Sequence, residues 1–493
     1  MSELPELPPL ASDVRDQLPP EAQAYIWALE QQVVSLRAQV ASFQAQVASQ
    51  QEQIERLQAQ VNKNSQNSSR PPSSDPPSAP PRPKRDKSGR KRGAQPGHEG
   101  QRRALVAESE VDAIHVHWPA HCPDCQAALP PAAVPGREAR RQPVWDLPEV
   151  APLVVAHRYE AVRCPGCERV VRAERPLEVA PGVLGARLTA LVALLNGRYR
   201  LSQREVASLL EAGFGVPLSV GGVVGACEQV SAALERPSAE ALAAVEQRAW
   251  ANGDETSWKP AGEKRWLGVA VTALFSVFVL ARTRGAIVLQ SLLGADYAGS
   301  IGSDRFSAYR TLPVTRRQLC WAHLKRDLLA IKQTSSASAA WGIQALAVVA
   351  QLFSLWHRFK QGELDRPTLQ RLMQSQRETF ARLLREGLAL PAWTKAHALC
   401  TDLLKLEPAL WTFLSVEGLE PTNNAAERAL RPAVLWRTGS FGSNSESGLR
   451  FAERILTVAA TCRQQQRPLL PFLSDAVHAH WAAQPAPSLL STP

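Results

Sequence analysis

The sequence predicts an α+β protein of several domains, and three patterns support that fold class. The chain has 493 residues, about three times the length of a typical domain. An apolar seven-residue repeat predicts an N-terminal coiled coil, two Cys-x-x-Cys pairs predict a zinc-ribbon-like module, and alternating strand-like and helix-like segments predict a sheet-containing core. Apolar residues make up 45% of the chain and charged residues 21%, which excludes a wholly disordered or collagen-like protein.

The first predicted domain, residues 1–62, is an N-terminal segment with a leucine-zipper-like coiled coil. Its two apolar heptad positions hold Ile26, Val33, Val40, Val47, Ile54 and Val61, and Leu29, Leu36, Phe43 and Leu57. β-branched residues at the first position with mostly Leu at the second favour a parallel dimer. A single amphipathic helix is the alternative, but a period of 3.5 residues indicates a supercoil. We therefore expect a homodimer or higher oligomer.

Residues 63–105 are predicted to form a disordered, basic, Pro/Ser-rich linker. Residues 63–103 carry eleven Lys or Arg and three acidic residues, so a net charge of +8 is concentrated in a short tract. Such a tract is typical of segments that neutralise nucleic-acid phosphates. The cluster expected to do so comprises Lys84, Arg85, Lys87, Arg90, Lys91 and Arg92. A solvated linker that binds nothing is the alternative.

Residues 106–180 contain a candidate zinc site. Cys122 and Cys125 form one Cys-x-x-Cys pair, and Cys164 and Cys167 form the second, 38 residues further on. Four thiolates complete the tetrahedron of a closed structural zinc site. A strand pair is expected within the apolar residues 150–161. A redox motif or chance pairing is the alternative for the cysteines. His115, His117 and His121 lie close enough in sequence to be substitute ligands, but the alternation of the first two favours a structural role in a strand.

Residues 181–248 have helical periodicity. Ser202 and Glu205 have the spacing of a capping box, and Ser219 is placed to begin a further helix. The order helix, turn, helix fits a DNA-binding helix-turn-helix and a plain helical hairpin equally well. At the other end of the chain, residues 446–493 are predicted to be a C-terminal helical segment.

The predicted core, residues 249–445, places one acidic residue on a strand and a second directly after another strand. Asp254 precedes two strand-like runs, residues 266–271 and 275–281, and a helix-like segment follows at residues 286–293. A further strand should end at Asp304, and residues 318–321 should form the next, leading into a helix that contains His323. The order of three strands, helix, strand, helix, strand fits the ribonuclease H-like fold.

A third acid is expected beyond a helical insertion at about residues 335–414. Thr422 or Asn423 is placed to cap a helix that carries Glu427 in its first turns, and Pro432 is expected to end that helix. The arginines expected to bind flanking phosphates are Arg428, Arg431 and Arg437. The residues expected to support the acids are Asn424 and His323.

Three converging carboxylates repel one another unless cations lie between them. Two divalent ions about 4 Å apart are the usual arrangement for phosphodiester chemistry, and oxygen ligands suit magnesium or manganese. We therefore expect Asp254, Asp304 and Glu427 to hold two Mg²⁺ or Mn²⁺ ions for cleavage of DNA.

In its motifs the chain resembles the insertion sequence 66 family of DDE transposases. The resemblance rests on the zipper-like start, residues 93–100 (GAQPGHEG), the doubled cysteine pairs, Asp254-Glu255-Thr256, Ser303-Asp304 with Tyr309, residues 320–323 (CWAH), and residues 423–432. It implies a zinc-binding N-terminal module, catalysis by the three acids, binding of double-stranded DNA at terminal inverted repeats and at a target, and small accessory proteins. Two positions depart from the family pattern: Arg305 replaces a usual Gly, and residues 438–440 replace a basic or polar pair.

The N-terminus lacks an apolar signal peptide, so a cytoplasmic, nucleoid-associated protein is expected. Uncharged runs at residues 266–281 and 333–356 are interpreted as two strands and a buried core helix rather than as membrane spans. Two other functions remain open at this stage. One is a non-catalytic, zinc-containing DNA-binding regulator, and the other is a ribonuclease H-like nuclease or resolvase that cuts without joining.

Overall fold

The computed structural model describes residues 12–65, 67–68, 105–258, 263–334, 336–440, 443 and 445–490. The basic cluster at residues 84–92 lies outside these described residues. The chain forms a larger unit, residues 1–79, 159–208 and 218–493, and a smaller unit, residues 80–158 and 209–217.

The larger unit begins with a short helix, α1 (Ser12–Asp16), and a long one, α2 (Pro20–Val61). The 42 residues of α2 correspond to about 63 Å at 1.5 Å per residue. Its heptad side chains, apart from Ile26, are exposed in the single chain, from 41% at Val33 to 70% at Val61. The helix is present where the heptads predict it, and its apolar face is open to solvent.

The cysteine-containing segments have little regular structure. In the smaller unit, the described residues contain a 3₁₀ turn at Glu108–Glu110 and a bridge between His121 and Ala128. In the larger unit, β1 (Ala161–Arg163) pairs antiparallel with β2 (Val170–Arg172). The expectation of a strand pair within residues 150–161 is wrong, because the turn at Cys164 and Cys167 reverses the chain and pairs the residues on its two sides instead.

Four helices and a π-helical turn precede the main sheet. They are α3 (Ala186–Ala193), the turn at Leu194–Arg198, α4 (Gln203–Phe214), α5 (Val220–Ala233) and α6 (Glu235–Glu246). The predicted capping box is confirmed, since Ser202 Oγ accepts from Glu205 N–H at 3.2 Å and Glu205 Oε2 accepts from Ser202 N–H at 2.7 Å. Ser219 caps α5 by accepting from Gly222 N–H at 3.1 Å.

The main sheet has five strands in the order β5-β4-β3-β6-β7. They are β3 (Trp250–Trp258), β4 (Arg265–Val271), β5 (Ser276–Ala281), β6 (Ser300–Ser303) and β7 (Arg317–Leu319), with α7 (Ala286–Leu293) between β5 and β6. β4 is antiparallel to both β3 and β5, whereas β6 runs parallel to both β3 and β7.

The predicted strands and the helix at residues 286–293 are therefore present. A helix is absent between β6 and β7, where the described chain has two 3₁₀ turns, Ser307–Thr311 and Val314–Arg316. Pro313 lies between these turns, and its missing N–H and fixed φ prevent one continuous α-helix.

After β7 the chain is helical, with α8 (Trp321–Lys332), α9 (Ser336–Lys360), α10 (Arg366–Gly387) and α11 (Lys395–Lys405), followed by 3₁₀ turns at Glu407–Leu410 and Thr412–Leu414. α9 packs against α8 and α10. By length and composition, α9 is one described helix that could cross a membrane. It nevertheless buries Trp341, Val349 and Leu352 in the helical core, as expected of a core helix.

The last three helices are α12 (Asn424–Ser440), α13 (Glu446–Gln464) and α14 (Leu469–Trp481). The prediction that Pro432 ends its helix is wrong, since Pro432 lies inside α12. An interior proline costs about 3 kcal/mol. Buried packing offsets that cost, because Trp436, one turn later, contacts the rings of Trp258 and Phe451 at centroid distances of 6.1 and 6.2 Å.

Both edges of the sheet are covered by polar contacts. On the β5 edge, α13 presents Glu453, Thr457 and Thr461 at four-residue spacing, and they accept hydrogen bonds from the N–H groups of Leu280, Phe278 and Ser276. Four helical residues rise about 6 Å and two strand residues about 6.6 Å, so the two spacings match. On the β7 edge, Gln318 bonds Phe413 N–H and Leu410 C=O.

Candidate active site

Two of the predicted acids lie where the parallel pairing of β3 with β6 ends. Asp254 is within β3, and Asp304 directly follows β6. The parallel register pairs Ala251 with Ile301 and Asn252 with Gly302. Continuing this register by two residues brings Asp254 opposite Asp304, so the sheet topology places both carboxylates at one edge.

Glu427, the third acid, lies in the first turn of α12, and α12 packs against β3 and β4. Asn423, which immediately precedes α12, fixes this end of the helix. Its Nδ2 donates to Gly253 C=O at 3.4 Å, and its N–H donates to Cys320 Sγ at 3.4 Å. The start of α12 is therefore attached to the backbone beside Asp254.

The other acids act electrostatically on Asp254. Burial raises the pKa of Asp254 to about 7; a hydrogen bond from Glu255 N–H to Asp254 Oδ1 at 2.9 Å opposes the rise, and the charges of Glu255, Asp304 and Glu427 add to it. Such a carboxylate group has the chemistry that binds divalent cations. In the described parts of the chain, however, no three His, Cys, Asp or Glu side chains converge closely enough to hold one ion. The acids share an edge of the sheet without sharing one coordination point.

Glu427 faces two residues of α8. His323 Nε2 lies 3.5 Å from Glu427 Oε1, and Arg326 Nη2 lies 3.8 Å from Glu427 Oε2. Two buried atoms at this contact, Glu427 Oε1 and His323 Nδ1, have no hydrogen-bond partner among the described residues. A buried polar atom without a hydrogen-bond partner destabilises the folded state. A further ligand that paired with these two atoms would remove that penalty. Of the two residues expected to support the acids, His323 lies beside Glu427. Asn424 is the first residue of α12.

The family of the chain follows from comparison with known proteins. Residues 181–450, more than half of the chain, match the family model described as the transposase IS66 family. The chain belongs to the IS66 transposase family. The resemblance inferred from the motifs is confirmed, and all three acids lie inside the matched range. A second model, described as a family of unknown function (DUF6444), matches residues 6–104 of this IS66 family member.

One curated relative of this IS66 family member is the uncharacterized protein y4qI of Sinorhizobium fredii (strain NBRC 101917 / NGR234). The two are 26% identical over an alignment of 199 residues, and the match covers 37% of this chain and 36% of the relative. The chain thus covers about a third of that protein's length.

A second cluster, which the sequence reasoning did not assign, lies directly beside Asp254. Glu255 forms an ion pair with Arg284, with Glu255 Oε1 at 2.7 Å from Nε and 2.6 Å from Nη2. Tyr309 donates its hydroxyl to Glu255 Oε2 at 3.0 Å. Burial raises the pKa of Glu255, and the charge of Arg284 opposes that rise. With Trp266, Val288 and Leu292, these residues line a small pocket with a cavity volume of about 20 Å³.

The predicted phosphate-binding arginines on α12 differ in their surroundings. Arg428 and Arg431 are exposed. Arg437 instead donates from Nη1 to Thr256 Oγ1 and Ser257 Oγ, each at 3.0 Å, and to the carbonyl of Ser257. Burial lowers the pKa of Arg437. Two of the three arginines are thus accessible to a phosphate, and the third holds α12 on β3.

The two cysteine pairs have the same local backbone. Cys122 C=O accepts from Gln126 N–H at 2.9 Å, and Cys164 C=O accepts from Glu168 N–H at 2.9 Å. Gln126 and Glu168 both have positive φ, 59° and 58°. In each pair, backbone N–H groups of the turn lower the pKa of the first thiol. The N–H of Cys125 has the largest effect on Cys122, and the N–H of Cys167 has the largest effect on Cys164. Each turn therefore favours a thiolate, the form that binds metal. The other four cysteines are buried, as expected for core packing.

Proposed function

We propose that this IS66 family member is a DNA transposase that cuts at the ends of an insertion element and joins them to a target. The observation that carries the proposal is the side-by-side placement of Asp254 in β3 and Asp304 directly after the parallel strand β6, with Glu427 on the helix that packs against β3. The sheet order, with three antiparallel strands followed by two parallel ones, is the order expected of a ribonuclease H-like core.

The three acids would hold divalent ions, Mg²⁺ or Mn²⁺. Two such ions supply activation of the attacking oxygen and stabilisation of the leaving oxygen. The chain's own residues prepare this site. Asn423 anchors the helix that carries Glu427, and His323 and Arg326 restrict the Glu427 side chain from α8.

DNA would reach the site across the exposed surface of α12. Arg428 and Arg431 lie on this helix within one turn of Glu427, so they are placed to bind phosphates on either side of the bond that is cut. Arg437, engaged with Thr256 and Ser257, would act by fixing α12 rather than by binding DNA. The basic cluster Lys84 to Arg92 adds non-specific phosphate contacts in this proposal.

We also propose that the protein works as a dimer or higher oligomer through α2. Nine of the ten heptad side chains are exposed in the single chain, and burial of such a face against a second copy is the usual outcome. Leu36→Lys, a change in the middle of this face, should lower the mass measured by sedimentation equilibrium. Arg37→Lys next to it, which keeps the charge of a native basic residue, should leave the mass unchanged.

Zinc bound through the cysteine turns is proposed as the structural cofactor. Loss of one ligand should lower the zinc content measured by atomic spectroscopy. Cys164→Ser tests this loss, and Cys462→Ser, at a buried cysteine of α13, is the matched control. Accessory proteins of the same element, a cytoplasmic and nucleoid-associated location, and recognition of inverted repeats remain proposals that rest on the family.

Strand transfer tests the enzymatic proposal. The assay uses a pre-cut oligonucleotide that carries the inverted repeat flanking the gene, a supercoiled target plasmid, and Mg²⁺. Asp254→Asn, Asp304→Asn and Glu427→Gln should each abolish joined products. Glu378→Gln, an exposed acid on α10, should not. Cleavage without joining would support the nuclease or resolvase alternative, and DNA binding with no acid-dependent product would support the regulator.

A further inference from the structure

Asp254 and Asp304 are held in different ways. Asp254 lies inside β3, and β3 is paired with β4 on one side and β6 on the other. Asp304 lies just beyond the last paired residue of β6, Ser303. Its position therefore depends on what fixes the residues that follow it.

Two of those following residues contact the Glu255–Arg284 ion pair. Tyr309 donates to Glu255 Oε2 at 3.0 Å. The Phe306 ring lies under the Arg284 guanidinium, with 3.8 Å from Cζ to the ring centroid. Phe306 N–H in turn donates to Asp304 Oδ1 at 2.9 Å. A continuous set of contacts thus runs from the residue after Asp254 to the carboxylate of Asp304.

Gly253 lets Tyr309 approach the backbone beside Asp254 closely. A Cβ on Gly253 would lie 3.0 Å from Tyr309 Oη and 3.1 Å from an Ile301 methyl group. Tyr309 is 4% exposed, so it has little space to move away. Tyr309 is therefore packed against β3, the strand that contains Asp254, and it lies in the segment that follows Asp304.

Both carboxylate oxygens of Glu255 already have protein partners. Arg284 occupies Oε1 and Tyr309 occupies Oε2, and the Glu255 side chain is only 10% exposed. Both carboxylate oxygens are committed to holding the neighbouring segments together. A carboxylate used in this way acts through geometry rather than through contact with substrate or metal.

We infer that Glu255, Arg284 and Tyr309 are positioning residues that set the distance between the Asp254 and Asp304 carboxylates, and thereby the affinity of the site for divalent cations. The inference rests on the proposed function, because it assigns this group a role in the same metal site. Partners that orient metal ligands commonly contribute about 10- to 100-fold to metal affinity.

The test is a calorimetric titration of the full-length protein with Mn²⁺. Tyr309→Phe removes one hydroxyl and leaves the ring in place, so we expect Mn²⁺ to bind at least about 10-fold more weakly. Tyr297→Phe is the matched control, since Tyr297 is also a buried tyrosine, 5% exposed, whose hydroxyl donates to Ser300 C=O at the same sheet. Thermal unfolding of both variants measures the effect on stability separately. Excess Mn²⁺ should restore strand transfer to Tyr309→Phe and not to Asp304→Asn.

The outcomes separate the two proposals. Equal Mn²⁺ affinity in Tyr309→Phe and the parent, with affinity lost in Asp304→Asn, would overturn the positioning role and leave the metal site intact. Equal affinity in Asp304→Asn, Asp254→Asn and the parent would overturn the metal site and the positioning role with it. Equal weakening in Tyr297→Phe and Tyr309→Phe would show a general structural effect, which also overturns the inference.

Discussion

The contact between α13 and the edge of β5 gives a sharp test of how the core is held. Thr457, which is 2% exposed, accepts from Phe278 N–H at 3.1 Å. Thr457→Val keeps the shape of the side chain and removes this acceptor. A buried N–H left without its partner costs about 1–3 kcal/mol. Since 1.36 kcal/mol corresponds to a tenfold change, amide exchange in β5 should become about 5- to 150-fold faster if it proceeds by local opening.

Thr461→Val should have a larger effect. Thr461 Oγ1 accepts from Ser276 N–H and donates to Ser276 C=O, both at 3.2 Å. Its loss therefore leaves two buried backbone groups unpaired rather than one. The measurement is hydrogen–deuterium exchange followed by mass spectrometry of peptides that cover residues 276–281.

The control for both variants is Thr438→Val, whose hydroxyl lies on the exposed surface of α12 and bonds carbonyls of its own helix. Surface changes of this kind usually alter stability by less than about 0.5 kcal/mol. If exchange in β5 were no faster in Thr457→Val than in Thr438→Val, the edge of the sheet would not depend on these hydroxyls and the reasoning would fail.

Three further predictions concern charge. Arg431→Ala should reduce the slope of log affinity against log salt for DNA by about 1, and Arg437→Lys should leave that slope unchanged; filter binding at several salt concentrations measures both. Arg305→Gly breaks the partly exposed ion pairs with Asp327 and Asp402, at 2.7 and 2.9 Å, so it should lower stability by only about 1 kcal/mol in urea unfolding; a loss above about 3 kcal/mol would contradict this estimate. Burial raises the pKa of Glu453 above 4.5, so the stability that this group contributes is present below pH 4.5 and is lost as pH rises through the raised value. Glu453→Gln should therefore flatten that part of the pH profile of thermal unfolding. An unchanged profile would refute the raised pKa of Glu453.

The sequence predicts the parts of this site that depend on element order. Strand periodicity places Asp254 on the first strand of the core and Asp304 just after the fourth, and parallel pairing then brings the two positions together. Glu427 is found because its helix has recognisable starting residues. These inferences need only local patterns and general rules of sheet geometry.

Contacts between distant residues were beyond such reasoning. The bond between Glu255 and Tyr309 joins residues from different elements, and no local pattern specifies it. Although Tyr309 and Glu255 stand in the motifs that carry the family resemblance, the motifs alone assign them no role. The error at Pro432 has the same origin, because the packing of Trp436 against Trp258 and Phe451 depends on tertiary structure.

The position of Glu427 after the helical insertion has a consequence for biosynthesis. During translation, the strands that bear Asp254 and Asp304 emerge from the ribosome well before α12, with α8 to α11 in between. A nascent or truncated chain that stops before residue 424 would carry two of the three acids and lack Glu427. In the proposed mechanism such a chain cannot cut DNA, so cleavage requires that synthesis has passed Glu427.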